Sequence, residues 1–294
     1  MEQFLQVLLS GLATGSIYAL AAIGFTLVWQ AAQTVNFAQG EFVMLPAFAV
    51  LIAISAGLSL PAALVIGLAV SVFVLGYLFK RVVVDPMIGL KNRGGLSLII
   101  ATMALAILIK ESVREFYGAE AQAYPDLFPS SVWNVFGAIV SATDVLNLAA
   151  SLTVVVLLTL FLDRTRTGRA MQATAQNPEV ATILGVDTNR MVLYTFLINA
   201  ALAALASFLI TPFYLAKFSN GEFLGLTAFI AAIVGGFNQI RGALVGGLLV
   251  GVLDNLTATY VTAQYRAAVP LVLLIVIIVF KPEGLLGTPE GRQV

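Results

Sequence analysis

Cysteine and histidine are both absent from the 294 residues. Their absence removes disulfides, thiolate chemistry, imidazole metal ligation and histidine-based acid–base catalysis together. Charge is scarce too: charged residues make up 10% of the chain, and 15 basic residues balance 15 acidic ones. No net field therefore recommends nucleic acid as a partner. A Gly-x4-Gly-Lys-Ser/Thr phosphate loop is missing, as is any serine with a base nearby in sequence. The chain is thus not expected to be an enzyme, and neither a cofactor nor a metal is expected in it.

What it has in abundance is apolar sequence, with 60% hydrophobic residues and a mean hydropathy of +0.99. A helix crosses the hydrocarbon core in about 20 residues, and stretches of that order recur between short polar breaks. They fall at Phe4–Trp29, Glu41–Gly57, Leu60–Lys80 and Leu96–Arg114, then at Val145–Leu162, Met191–Tyr214, Phe223–Gly236, Ala243–Tyr260 and Ala267–Phe280. The expectation is one all-α membrane domain over residues 1–294, a polytopic bundle of about eight or nine transmembrane helices surrounded by lipid. Phe223–Gly236 is short enough to be broken or re-entrant, which is tolerated only where protein or a water-filled cavity covers its ends. Met1-Glu2-Gln3 lacks the basic start of a signal peptide, so the first stretch is expected as an uncleaved helix.

Basic residues collect in cytoplasmic loops. If the loop at about 163–190 is cytoplasmic, so are Lys80, Arg81, Lys91, Arg93, Arg164, Arg166, Arg169, Arg190, Arg241, Lys281 and Arg292, leaving Lys110, Arg114, Lys217 and Arg266 outside. Nine spans then put the N-terminus in the periplasm and the C-terminus in the cytoplasm. The loop at about 115–144 becomes external and, with Tyr117, Tyr124, Pro125, Pro129 and Trp133, suits a folded interfacial cap.

One internal match stands out. Phe37-Ala-Gln-Gly-Glu-Phe-Val-Met-Leu-Pro-Ala-Phe48 aligns with Phe218-Ser-Asn-Gly-Glu-Phe-Leu-Gly-Leu-Thr-Ala-Phe229, identical at seven of twelve positions. Five spans lie between the copies, so the second enters the membrane from the opposite side. Transport folds use such inverted repeats to build a midplane pathway. Candidate pathway residues are therefore Asn36, Gln39, Gly40, Glu41, Asn220, Gly221 and Glu222, with Asp254 as a further intramembrane acid. Glu41 and Glu222 equally suit first-turn positions, where a carboxylate complements the helix dipole. Lys110, Glu111 and Arg114 are expected to snorkel or to pair with one another. The small-x3-small pairs at Gly11/Gly15, Gly242/Gly246 and Gly247/Gly251 are expected to pack helices within the chain rather than between chains.

The segment Gly168–Val186 is not a span. Asn177 can cap a helix whose first residue is Pro178, with Glu179 in its first turn and Gly185 after its end. Val180, Ile183 and Leu184 would then form an apolar knob on a two-turn helix, too short to stand alone in water. Glu179-Val180-Ala181, three residues, then Gly185 resembles the Glu-Ala-Ala loop by which permeases of ATP-binding-cassette (ABC) importers dock on their ATPases. More closely, the chain resembles the LivH family of branched-chain amino acid permeases. That likeness is carried by Gly15-Ser-Ile-Tyr-Ala-Leu20, Val35-Asn-Phe-Ala-Gln-Gly-Glu41, Gly168-Arg-Ala170, Gly235-Gly236, Gly242-Ala243, Gly246-Gly247 and Pro282-Glu-Gly-Leu285. Relatives often carry His where this chain has Gln39, which hydrogen-bonds but does not titrate near neutral pH.

The resemblance implies an ABC-importer permease fold with Pro178, Glu179, Val180, Ala181, Ile183, Leu184 and Gly185 in the coupling helix. It also implies a second, LivM-like permease subunit, two ABC ATPase subunits and a periplasmic substrate-binding protein as partners. Branched-chain or similar small amino acids are the implied substrates. The same resemblance extends to permeases for urea and short amides, and the repeat alone would equally fit a self-sufficient channel or ion-coupled carrier.

Overall fold

The computed structural model describes residues 2–88, 94–128, 131–135 and 138–287. Lys91, Arg93, Pro129 and Arg292, used above to reason about loops and orientation, lie outside the described residues. Among the described residues, six helices are long and apolar enough to cross a membrane, and three shorter apolar ones accompany them. In chain order they are α1 (Glu2–Ala32), the short α2 (Gln39–Ser55), and a continuous 28-residue span that starts as α3 (Leu60–Ser71). That span is wound as π-helix over Val72–Leu78 and Lys80–Val84 and ends in α4 (Asp85–Ile88). There follow α5 (Gly94–Tyr117), a hairpin of β1 (Val132–Val135) and β2 (Ala138–Ser141), and α6 (Ala142–Arg164). Two polar-loop helices, α7 (Arg166–Gln176) and α8 (Pro178–Ile183), lead to α9 (Thr188–Tyr214). The chain closes with the short α10 (Asn220–Gly235), α11 (Ile240–Tyr260) and the short α12 (Ala268–Phe280).

Two ends of the bundle can be distinguished. One carries the hairpin and residues 115–128, and the other carries α7 and α8. The hairpin pairs Val132 with Ser141 through Val135 with Ala138, so the cap expected from sequence contains strands in an otherwise helical chain. α7 is also new. Its apolar residues are few, and it is held by the burial of Gly168, Met171 and Thr174 rather than by a long hydrophobic stripe.

α1 and α9 form the centre, whereas α5 and α6 are mostly peripheral. Glycine lets α1 and α11 approach closely within the chain. A Cβ at Gly15 would lie 2.8 Å from the carbonyl oxygen of Gly247, and one at Gly247 would lie 2.5 Å from Cα of Ala19. At such backbone distances no larger residue fits.

The two short helices α2 and α10 each follow a reversal of the chain. After α1, Gln33 adopts φ 50°, and after α9, Leu215 adopts φ 60°. Non-glycine residues seldom hold positive φ, and surrounding structure must impose it. In the first reversal the Phe37 N–H bonds to Thr102 Oγ1 of α5 at 3.2 Å. In the second, Ala216 exchanges two backbone hydrogen bonds with Gln122, at 2.8 and 2.9 Å. Both returns bring a helix start into the interior of the bundle.

Candidate functional site

α2 and α10 meet at their first turns. Gly40 lies against Gly221 and Gly225, and a Cβ on Gly225 would stand 2.7 Å from Cα of Gly40. From that crossing the helices run apart. α2 heads for the hairpin end, where Phe48 packs on Tyr117 with ring centroids 5.0 Å apart. α10 heads for the opposite end, where Phe237 packs on Trp29 at 4.9 Å and Gly236 lies against Gly284 and Gly287. Helix N-termini carry partial positive charge from their unsatisfied N–H groups, and two of them converge at this junction.

A cavity of about 290 Å³ opens there, with Gly40, Glu41, Gly221 and Glu222 on one side and Ala106 and Lys110 of α5 on another. Thr102, Ala106 and Lys110 are spaced four residues apart and so share one face of α5. That stripe follows the junction from the Phe37 amide to the Glu222 carboxylate, with which Lys110 forms an ion pair. The Glu41 carboxylate lies over Gly221, where a Cβ would come within 2.5 Å of its Oε2. Glu41 is only 3% exposed, and its Oε2 has no hydrogen-bond partner.

The other predicted pathway residues sit around the cavity rather than on its wall. Gln39 is fully buried and exchanges two hydrogen bonds with Asn199 of α9, at 2.8 and 3.0 Å, beneath Gly24 of α1. Asn36 accepts from the Ala38 N–H at 3.0 Å, shaping the turn into α2. Asn220 donates to the Leu215 carbonyl at 2.6 Å and holds the turn into α10. Asp254 stands apart from all of these. It takes two bonds from the Arg266 guanidinium, at 2.9 and 2.7 Å, and a third from the Tyr18 hydroxyl at 3.1 Å. Tyr214 accepts from the same guanidinium at 2.8 Å. This network ties α1, α9 and α11 to the segment before α12.

At the far end, Asn177 Oδ1 accepts from the amides of Glu179 and Val180 at 3.1 and 3.0 Å, with Pro178 at the first helical position of α8. Gly185 takes φ 83°, and the Val186 amide reaches back to the Ala181 carbonyl at 3.0 Å, closing a Schellman-type end. Ala181 is buried against the body of the protein, but Val180, Ile183 and Leu184 are exposed, Ile183 by 83%. A second cavity, of about 1040 Å³, lies beside α7 between Gln30, Asp163, Gln172 and Arg241, with Pro178 of α8 at its wall.

Residues 7–278 match the family described as "Branched-chain amino acid transport system / permease component". The chain belongs to that family. Among curated relatives, the high-affinity branched-chain amino acid transport system permease protein BraD of Pseudomonas aeruginosa is 36% identical, over 99% of this chain and 98% of the relative. LivH of Escherichia coli K12, of the same description, is 32% identical over the same shares. A probable branched-chain amino acid transport permease protein LivH of Methanocaldococcus jannaschii is 25% identical over 92% of this chain and 89% of its own length. No solved structure matches the chain.

Within this permease, sequence reasoning missed two participants at the junction. Lys110 is expected from sequence to snorkel or to pair with Glu111 and Arg114. Arg114 does bond Glu111, at 3.2 Å, but Lys110 crosses to α10. Asn199, the partner of Gln39, carried no signal beyond being an amide inside an apolar stretch, which is itself a reason to look for a polar partner.

Proposed function

We propose that this permease is the non-catalytic membrane subunit of an ABC importer in the inner membrane, passing branched-chain or related small aliphatic amino acids toward the cytoplasm. The observation that carries this reading is full-length likeness to permeases of that description. An exposed apolar docking knob accompanies it, on a chain with no nucleotide site of its own. ATP hydrolysis then belongs to separate ATPase subunits.

The end bearing α7 and α8 faces the cytoplasm and the hairpin end faces the periplasm, because Lys110, Arg114, Lys217 and Arg266 are outnumbered by the basic residues elsewhere. The N-terminus is then periplasmic and the C-terminus cytoplasmic. The chain makes about eight or nine passes, of which α2 and α10 each traverse part of the membrane. The two matched segments beginning at Phe37 and Phe218 are an inverted repeat, a reading supported by the opposite courses of α2 and α10 from their crossing. The pathway runs past that crossing. Lys110, Glu111, Arg114 and Glu222 are partly or largely exposed there, and charges at such depth avoid lipid. They face a second, LivM-like permease, with the pathway between the two subunits. Two ATPases and a periplasmic binding protein complete the assembly.

Coupling is mechanical. Pro178, Glu179 and Gly185 fix the geometry of α8, Ala181 seats it, and Val180, Ile183 and Leu184 fill a cleft on the ATPase. Closure of the ATPase pair moves this knob and biases the permease between two states.

The test is co-purification of the complex followed by ATP hydrolysis with loaded binding protein. Leucine is expected to stimulate hydrolysis, and stimulation by urea but not leucine would overturn the substrate. The double substitution Ile183→Asp and Leu184→Asp should abolish ATPase co-purification while the permease still inserts. Undiminished co-purification would remove α8 from the coupling role.

A further inference from the structure

The junction cavity has a chemical asymmetry that its role as a mere passage does not require. On its floor sits the Glu41 carboxylate, 3% exposed, one oxygen of which meets no donor. A buried carboxylate without a partner is costly, and native proteins rarely leave one unexplained. At the open side stand Lys110 and Glu222, their side chains 22% and 64% exposed and paired with each other. That pair satisfies its own charge, which leaves Glu41 as the acid without a partner, at a place where Gly40 and Gly221 bring the two helix starts into contact at the edge of the cavity. The remaining wall is apolar, supplied by Phe25, Ile107, Leu226 and Phe229. At about 290 Å³ the space lies near the lower limit of ligand pockets, which span roughly 300–1,000 Å³.

We infer that this cavity is a binding site for a zwitterionic aliphatic amino acid, its ammonium group held between Glu41 and Glu222 and its carboxylate by Lys110. The inference rests on the permease reading above and adds to it what is recognised and by which groups. The incoming ammonium supplies donors to the unpartnered Glu41 oxygen and takes over Glu222. Lys110, released from Glu222, turns to the substrate carboxylate beside the converging helix N-termini, which favour an anion. The aliphatic side chain lies against the aromatic and branched wall. Urea or a short amide has no charge to satisfy Glu41 and no side chain to fill that wall. Binding gives up the Lys110–Glu222 pair for three charge contacts but must desolvate both ends of the zwitterion, which keeps its net strength modest, as a site that must also release its cargo requires.

The experiment uses the whole complex, reconstituted in proteoliposomes with ATP inside and leucine-loaded binding protein outside. The readout is leucine delivered per ATP hydrolysed, which general damage to the fold would not lower selectively. Glu41→Gln and Lys110→Gln are each expected to reduce this ratio at least tenfold in assembled complexes, and Glu41→Asp to recover part of it. An unchanged ratio in either glutamine variant would overturn the inference. Failure of both variants to assemble would overturn it too, since the groups would then be structural. Absence of leucine uptake by the assembled wild-type complex would instead sink the proposed function itself.

Discussion

Two of the charged side-chain groups among the described residues of the bundle, one at Asp254 and one at the junction, are built differently. At Asp254 every acceptor is satisfied: the Arg266 guanidinium grips both oxygens, and Tyr18 adds a third bond. At the junction, Glu41 keeps an idle oxygen beside a cavity, and the neighbouring pair, Lys110 with Glu222, is partly open. With Asp254 buried and both of its oxygens gripped by the guanidinium, the first cluster has no idle carboxylate oxygen to offer a ligand. The second has unused bonding capacity and space next to it. The difference teaches that an intramembrane charge by itself does not mark a transport site. What separates the two clusters is spare hydrogen-bonding capacity beside a cavity.

That contrast can be broken by measuring stability. Asp254→Ala strands the Arg266 charge, and loss of one partner of a buried pair costs about 3–5 kcal/mol. Thermal melting of the purified permease should fall accordingly, and the double substitution Asp254→Leu with Arg266→Met should recover most of the loss. A melting point unmoved by Asp254→Ala would put that cluster in the same class as the junction. Gln39→Leu leaves Asn199 buried without its reciprocal amide, a defect of about 1–3 kcal/mol visible in the same melt. Lys110→Gln removes half of a partly exposed pair, worth about 0–1 kcal/mol. Its melting point should stay close to wild type even as transport coupling falls. A large destabilisation there would erase the distinction between the two clusters.

How much of this was readable beforehand depended on how local each feature is. The α8 knob was legible because Asn177, Pro178 and Gly185 act on backbone atoms within a few residues of themselves. The Phe-x-x-Gly-Glu-Phe pair was legible as a repeated string, and it does mark the starts of α2 and α10. Its amides, however, were candidates for the pathway wall, and Gln39, Asn36 and Asn220 are instead committed to Asn199 and to the two turns. Asp254 was a pathway candidate because its partner lies beyond the end of α11, and no periodicity connects them. The hairpin is not legible in the sequence because its strands are four residues each, too short for an alternating pattern to show beside the spans.

The sequence by itself determined the solvent and the local structure. Sixty per cent hydrophobic residues cannot be covered by the polar surface available, and backbone in lipid must then be helical. It also determined where α8 begins and ends. Only the tertiary structure decided which polar groups are spent and which are spare. A carboxylate, an amide and an ammonium have the same bonding capacity wherever they occur in a chain. Whether that capacity is used depends on partners that here lie 160 residues away for Gln39 with Asn199 and 112 for Lys110 with Glu222. Folding brings those partners together through glycine contacts and chain reversals, and in doing so leaves Glu41 beside an open space.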